Sequence, residues 1–149
     1  MRLNRKSDSI LIAEDDPRDV LLLKRALQKN GVKAGIHFVS DGAEAIDYLC
    51  AKPPYQNRSK NPFPGIIYVD LKMPRFDGME FLRWMHSHPQ YLIIPVIVFS
   101  ASTLESDIKS AYELGAHAYI PKPQTFDELT EVVRITLEFW SLCERPAGP

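Results

Sequence analysis

Gly65-Ile66-Ile67-Tyr68-Val69-Asp70-Leu71-Lys72-Met73-Pro74-Arg75-Phe76-Asp77-Gly78-Met79-Glu80-Phe81-Leu82 reads as a buried strand, a turn and the start of a helix. The run Ile66 to Val69 is apolar and rich in β-branched side chains, and it stops at an acid. A Pro/Asp/Gly turn follows and leads into an amphipathic pattern. Asp70 therefore stands at the carboxyl end of a central strand, the edge of an open α/β sheet where ligands bind. Taken alone, the same aspartate serves equally well as a cap for the turn.

The rhythm of that stretch recurs along the chain. Strand-like runs occur at Ile10 to Ala13, Ile36 to Val39, Ile66 to Val69, Val96 to Phe99 and Ala118 to Ile120, each followed by a helical pattern. The helix starts share one signal, a capping residue with an acid three positions on: Asp16 with Asp19, Asp41 with Glu44, Asp77 with Glu80, Ser102 with Glu105, and Thr125 with Glu128. Pro17 at a first helical position, and Gly31 and Gly115 after helix ends, mark further boundaries. Strand then helix, five times over, predicts an α/β fold: a doubly wound five-stranded parallel sheet with helices on both faces. The polar, proline-rich segment 52–64 interrupts the rhythm and is expected to be an extended surface loop, a tolerated insertion. The tail Arg145 to Pro149 is expected to be disordered.

The 149 residues suit one domain, 1–149, with no room for an output domain beside it. A composition of 45% hydrophobic and 25% charged residues with net charge −1 is that of a soluble globule and implies no strong polyanion or membrane field. No basic helix-turn-helix segment argues for nucleic acid. The apolar run at Ile10 is too short for a signal peptide, and Pro95 breaks the run from Ile93 to Phe99, so a cytoplasmic location is expected. Cys50 and Cys143 match no metal or redox spacing and read as small half-buried thiols. His37, His86, His88 and His117 form no ligand set, and Phe81, Trp84 and Phe126 fall at core spacing.

Parallel strands bring their carboxyl ends to one edge. That edge collects Glu14, Asp15 and Asp16 after the first strand, Asp70 after the third, Ser100 after the fourth and Lys122 after the fifth. Carboxylates crowded in one cleft repel, and a raised pKa or a hard cation relieves them. A cluster centred on Asp15 and Asp70 suits Mg²⁺, with Lys122 and Ser100 supplying an ammonium and a hydroxyl for a phosphoryl group on, or arriving at, a carboxylate. Asp16, next to Pro17, is better placed as helix cap than as ligand. Lys122 before Pro123 suits a cis peptide that aims the lysine inward.

With Glu14-Asp15-Asp16, Val69-Asp70-Leu71-Lys72-Met73-Pro74, Phe99-Ser100-Ala101 and Ile120-Pro121-Lys122-Pro123 in order on the expected elements, the sequence resembles the receiver domain of two-component response regulators from about Ile10 to about Leu137. The resemblance implies a flavodoxin-like fold and a phosphoryl group accepted on Asp70 from a phosphohistidine of a sensor histidine kinase. It implies Mg²⁺ held by Asp15, Asp70 and the backbone carbonyl of Lys72, with Glu14 reaching it through water. It further implies that Lys122 pairs with the phosphoryl oxygens, that Ser100 hydrogen-bonds one of them where Thr is commoner, and that Tyr119 is an aromatic switch coupled to Ser100. The Glu14 to Val20 start, the proline-rich insertion and the Glu138-Phe139-Trp140 ending are similar to the small regulators served by cyanobacterial phytochrome kinases, which implies a phytochrome partner.

A haloacid-dehalogenase-type phosphatase is the enzymatic alternative, but it needs an acid two residues after the nucleophile, where this chain has Lys72. A receiver for another kinase is a further alternative. A receiver without an output domain signals through protein contacts, so an unknown downstream protein is expected. On the first helix, Val20, Leu23 and Leu27 share one side while Leu21 and Leu22 leave it, a candidate docking surface for the kinase. On the last helix, Phe126, Leu129, Val133, Thr136, Leu137 and Trp140 form the core face, and Ile135, Phe139 and Leu142 form a second apolar stripe. That stripe predicts an isologous homodimer.

Overall fold

A computed structural model describes residues 9–32, 35–144 and 146. The expected strands and helices form in order: β1 Ile10–Ala13, α1 Pro17–Lys29, β2 Ile36–Val39, α2 Gly42–Leu49, β3 Ile66–Val69, α3 Gly78–His86, β4 Val96–Ser100, α4 Glu105–Glu113, β5 Ala118–Pro121 and α5 Phe126–Leu142, with a short 3₁₀ turn at Pro89–Tyr91. All strand pairs are parallel and the sheet order is β2-β1-β3-β4-β5. The chain steps from β1 outward to β2, then returns to the other side of β1 for β3. The β1/β3 boundary is therefore the point where the winding reverses, the crevice in which such sheets bind ligands.

The strands divide the core by alternation. Leu11, Ala13, Ile67, Val69, Val96 and Val98 face α2, α3 and α4, where Ala45, Tyr48, Leu49, Phe81, Leu82, Met85 and Ala111 are buried. Ile10, Ile12, Ile66, Tyr68, Ile97 and Phe99 face α1 and α5, meeting Leu23, Ala26, Leu27, Leu129, Val133 and Leu137. Because neighbouring residues of a strand point to opposite faces, β1, β3 and β4 need apolar side chains at nearly every position. Tyr68, deep in the second layer, shares a hydrogen bond with Thr136 of α5 (2.7 Å). Phe81 is buried, Trp84 is half-buried beside Tyr91, and Phe126 packs at the edge of the second layer, as their spacing predicts.

Capping follows the sequence at α2, α3 and α5. Asp41 accepts from the Glu44 N–H (2.8 Å), Asp77 and Glu80 form a reciprocal capping box, and Thr125 accepts from the Glu128 N–H (3.1 Å). Gly31 and Gly115 adopt φ +84° and +97°, the left-handed values that end helices. Two starts differ. Asp16 caps α1 through the Arg18 N–H (2.8 Å), but Asp19 does not complete a capping box. Helix α4 begins later than expected, with Leu104 at its cap position. Ser102 turns its hydroxyl to Asp107 and accepts from the Leu104 N–H (3.3 Å), because the chain is still leaving β4 at Ser102.

The segment 52–64 also departs from the extended loop expected of it. It folds back on α2. Arg58 donates to the Tyr48 carbonyl (2.9 Å) and the Leu49 carbonyl (2.7 Å) at the helix end, and Tyr48 donates to the Pro62 carbonyl (2.9 Å). Phe63 stacks on Tyr91. Among the described residues the cis bond is Pro53–Pro54, so Lys122–Pro123 is trans. The lysine is aimed instead by the strand ladder, its N–H donating to the Ser100 carbonyl (2.9 Å). Cys50 and Cys143 are half-buried free thiols. No helix among the described residues is long and apolar enough to cross a membrane. Of the tail expected to be disordered, only Pro146 lies within the described residues.

Candidate functional site

Strand β1 pairs with β3 in register, Ala13 opposite Val69, and the Asp70 N–H donates to the Ala13 carbonyl (3.0 Å). That ladder sets Asp70 beside the start of the β1–α1 loop. Oxygens of Glu14, Asp15 and Asp70 all lie within 4.8 Å of one another. Glu14 and Asp70 are 4% and 6% exposed, while Asp15 opens to solvent. Burial, and then the charge of Asp70, push the Glu14 carboxyl up to about 8 against the opposing pull of Lys122. Three hard oxygen donors, two of them withdrawn from water, fit a divalent cation, which would offset their repulsion. Lys72 is exposed, and its N–H donates to Asp70 Oδ1 (3.3 Å).

Lys122 arrives from the end of β5. Its Nζ lies 2.9 Å from Asp70 Oδ2, 3.3 Å from Glu14 Oε2 and 2.7 Å from Asp19 Oδ2. Burial works against this ammonium, but the hydrogen bonds of Asp19 and Asp70 and the charges of Asp70 and Glu14 outweigh it and hold its pKa above the ordinary value. Asp16 stays outside the cluster as helix cap, as its place before Pro17 predicts. Asp19 is the member that the sequence reading missed. An acid three residues after an Asp cap looks like half of a capping box, and only the meeting of α1 with the end of β5 shows it turned inward.

Ser100 is fully buried at the end of β4, and its Oγ accepts from the Ser102 N–H (3.1 Å). The hydroxyl therefore already shapes the loop leaving β4. Tyr119 does not meet Ser100 directly. Its hydroxyl donates to the Ser102 carbonyl (2.8 Å), and its N–H donates to the Tyr112 hydroxyl oxygen (3.0 Å). Ser100 and Tyr119 are linked through one residue, Ser102, and the β4–β5 register pairs Tyr119 with Val98 and Ser100 with Pro121.

The turn after Asp70 is held from two sides. The Gly78 N–H donates to the Leu71 carbonyl (3.0 Å), and a Cβ on Gly78 would run into the Asp70 carbonyl oxygen and come within 2.8 Å of Leu71 Cα. Only glycine lets α3 start this close to the acid. On the other side Arg75, at φ +63°, places its guanidinium on buried Asp41, with Nε at 2.9 Å and Nη2 at 2.8 Å from Oδ2. This brace between α2 and the turn was also invisible in the sequence, where Asp41 reads only as a cap.

The two apolar surfaces predicted outside the core are present. Leu21 and Leu22 are 47% and 38% exposed, and Leu22 joins Leu23, Phe99 and Pro123 around a pocket whose polar end is Glu14, Asp19 and Lys122. Leu23 and Leu27 are buried, as the stripe predicts. On α5, Ile135, Phe139 and Leu142 are 51%, 57% and 84% exposed.

The response regulator receiver domain model matches residues 10–134. The probable methanogenesis regulatory protein FilR2 of Methanothrix harundinacea is 31% identical over 140 residues, which is 94% of this chain and 88% of that protein. The response regulator Rcp1 of Synechocystis is 30% identical over 131 residues, 88% of this chain and 87% of Rcp1. In structure, the phosphorylated cyanobacterial phytochrome response regulator RcpA superposes with a TM-score of 0.84 at 34% identity, covering 93% of this chain and 98% of that one. The Mn²⁺-bound form of Rcp1 gives 0.81 at 30% identity, covering 93% and 99%.

Proposed function

The chain belongs to the response regulator receiver family of two-component signalling, and we propose that it takes a phosphoryl group on Asp70 from a sensor histidine kinase of the phytochrome class. The observation that carries this reading is the environment of Asp70: a carboxylate 6% exposed at the switch point of the sheet, with the Lys122 ammonium 2.9 Å from one oxygen and Glu14 and Asp15 beside it. A phytochrome partner is supported by the likeness to RcpA and Rcp1.

Glu14, Asp15 and Asp70 would hold Mg²⁺, with the Lys72 carbonyl as a further donor. The ion supplies charge neutralisation that lets an anionic phosphoryl group approach an anionic carboxylate. In the transfer, an Asp70 carboxylate oxygen attacks phosphorus, an O–P bond forms, and the P–N bond to the kinase imidazole breaks. The imidazole leaves with the electron pair. Lys122 stands where it can pair with the phosphoryl oxygens, and Ser100 is one residue from the loop that would close on them. A movement of that loop would reach Tyr119 through the Ser102 carbonyl.

On this reading the domain is a phosphoryl-accepting signalling module that assists its own phosphorylation and dephosphorylation, works in the cytoplasm, and passes its signal to a downstream protein by contact. Residues 1–149 act as one receiver unit. Leu21 and Leu22 are proposed as the kinase-docking face of α1, and Ile135, Phe139 and Leu142 as a homodimer surface. Incubation with acetyl phosphate and Mg²⁺ should place one alkali-labile phosphoryl group on the wild type and none on Asp70→Asn. Equal labelling of that variant, or labelling that persists in chelator, sinks the assignment.

A further inference from the structure

The ammonium of Lys122 has three hydrogens and three carboxylate neighbours, Asp19, Asp70 and Glu14, at 2.7, 2.9 and 3.3 Å. Two of these are committed to other tasks. Asp70 and Glu14 belong to the carboxylate cluster that fits a cation, and Asp70 is also the proposed phosphoryl acceptor. Asp19 belongs to neither, although it makes the shortest contact with the lysine.

The local structure shows why Asp19 is available. At the third position of a helix behind an Asp cap, an acid ordinarily reaches back to the N–H of the capping residue. Here that N–H, on Asp16, donates to Glu14 Oε1 (3.1 Å), and the Asp16 side chain serves the Arg18 N–H. The start of α1 has no need of the Asp19 carboxylate. Its side chain turns toward the sheet edge and joins residues 103 positions apart.

We propose that Asp19 is a positioning residue for Lys122, holding its ammonium over Asp70 while the cation and the phosphoryl group take over the two other carboxylates. With Glu14 and Asp70 holding a cation, the lysine would have neither as a full partner. When phosphorus bonds to Asp70, one of its oxygens ceases to be a free carboxylate oxygen. Asp19 is the partner unchanged throughout, so the long, flexible lysine keeps a fixed point. The same contact ties α1, with Leu22 on its outer face, to the phosphoryl site. This inference rests on the reading of Asp70 as the acceptor.

The test compares wild type, Asp19→Ala and Asp19→Asn, labelled at Asp70 with acetyl phosphate at saturating Mg²⁺. Mg²⁺ affinity and melting temperature are measured alongside. Asp19→Ala should label on the order of tenfold more slowly, since a loosened catalytic side chain is misaimed for much of the time, with Mg²⁺ affinity and melting temperature close to wild type. Asp19→Asn keeps an oxygen acceptor in the same place and should recover most of the rate. In proteins carrying ¹⁵N-lysine, the Lys122 ammonium signal should stay sharp on addition of Mg²⁺ in wild type and in Asp19→Asn, and exchange away in Asp19→Ala. Labelling of Asp19→Ala at the wild-type rate overturns the proposal. So does faster labelling of both variants, which would make Asp19 a charge opposing the phosphoryl group. A wild type that takes no label ends the Asp70 reading instead, and the ammonium signal then still decides whether Asp19 anchors the lysine.

Discussion

Glu14 and Asp70 are buried side by side, and Lys122, whose ammonium meets both, is shared with a third acid, Asp19. The arrangement is tense. The Glu14 carboxyl, pushed up to about 8 by burial and by Asp70, is protonated in the folded chain at pH values where it is ionised when unfolded, its ordinary value being 4.5. A raised pKa of this kind stabilises the fold fully below pH 4.5 and is lost as pH climbs toward 8. In chelator, urea denaturation should therefore show stability falling by on the order of 3 kcal/mol between about pH 5 and pH 8. Added Mg²⁺ should flatten the fall by accepting the ionised form, and Glu14→Gln should lack it in either condition. A chelated wild type whose stability is level across that range would mean that Glu14 is ionised throughout.

At the scale of elements, the β3–α3 turn carries the site, and its two braces have different costs. Gly78 is packed against the Asp70 backbone so closely that alanine forces α3 away from the acid. Gly78→Ala should cost about 3 kcal/mol by overpacking, and acetyl phosphate labelling should fall far more than the folded fraction does at low temperature. Normal labelling by a folded Gly78→Ala protein would show that the turn tolerates displacement. Helix α1 contributes in another way. Leu23 and Leu27 satisfy the core, which leaves Leu21 and Leu22 exposed, Leu22 on the rim of the Lys122 pocket. Leu22→Asp should leave acetyl phosphate labelling near wild type and reduce transfer from the cognate kinase at least tenfold, the effect expected of a buried apolar anchor at an interface. Transfer at the wild-type rate would remove α1 from the docking face.

The whole molecule presents a second apolar surface on the outer side of its last helix. Helix α5 is committed to the core through Leu129, Val133 and Leu137, yet Ile135, Phe139 and Leu142 are each more than half exposed on its outer side. An isologous pair would bury each stripe against its copy. Light scattering should find a dimer in the wild type at tens of micromolar, roughly the range of a specific association. The double substitution Ile135→Glu, Phe139→Glu should give a monomer with unchanged circular dichroism. A wild type that stays monomeric at that concentration removes the dimer.

Much of this protein was already written in its sequence. The apolar runs Ile10 to Ala13 and Ile66 to Val69, the cap at each of Asp41, Asp77 and Thr125, and the glycines at 31 and 115 are local signals, each carried by residues within one helical turn or one strand. Parallel strands then bring Glu14, Asp15, Asp70, Ser100 and Lys122 to one edge without further information. Other features depended on tertiary structure. Asp19 reads in the sequence as half of a capping box, yet Glu14 accepts the Asp16 N–H and Asp19 reaches Lys122. Arg75 settles on Asp41 across 34 residues, Arg58 closes the end of α2 with a loop that looked extended, and Tyr119 meets Ser102 in place of Ser100. A side chain's periodicity tells which face of an element it occupies. Its partner depends on where two backbones come to rest, and no local pattern of residues carries that distance.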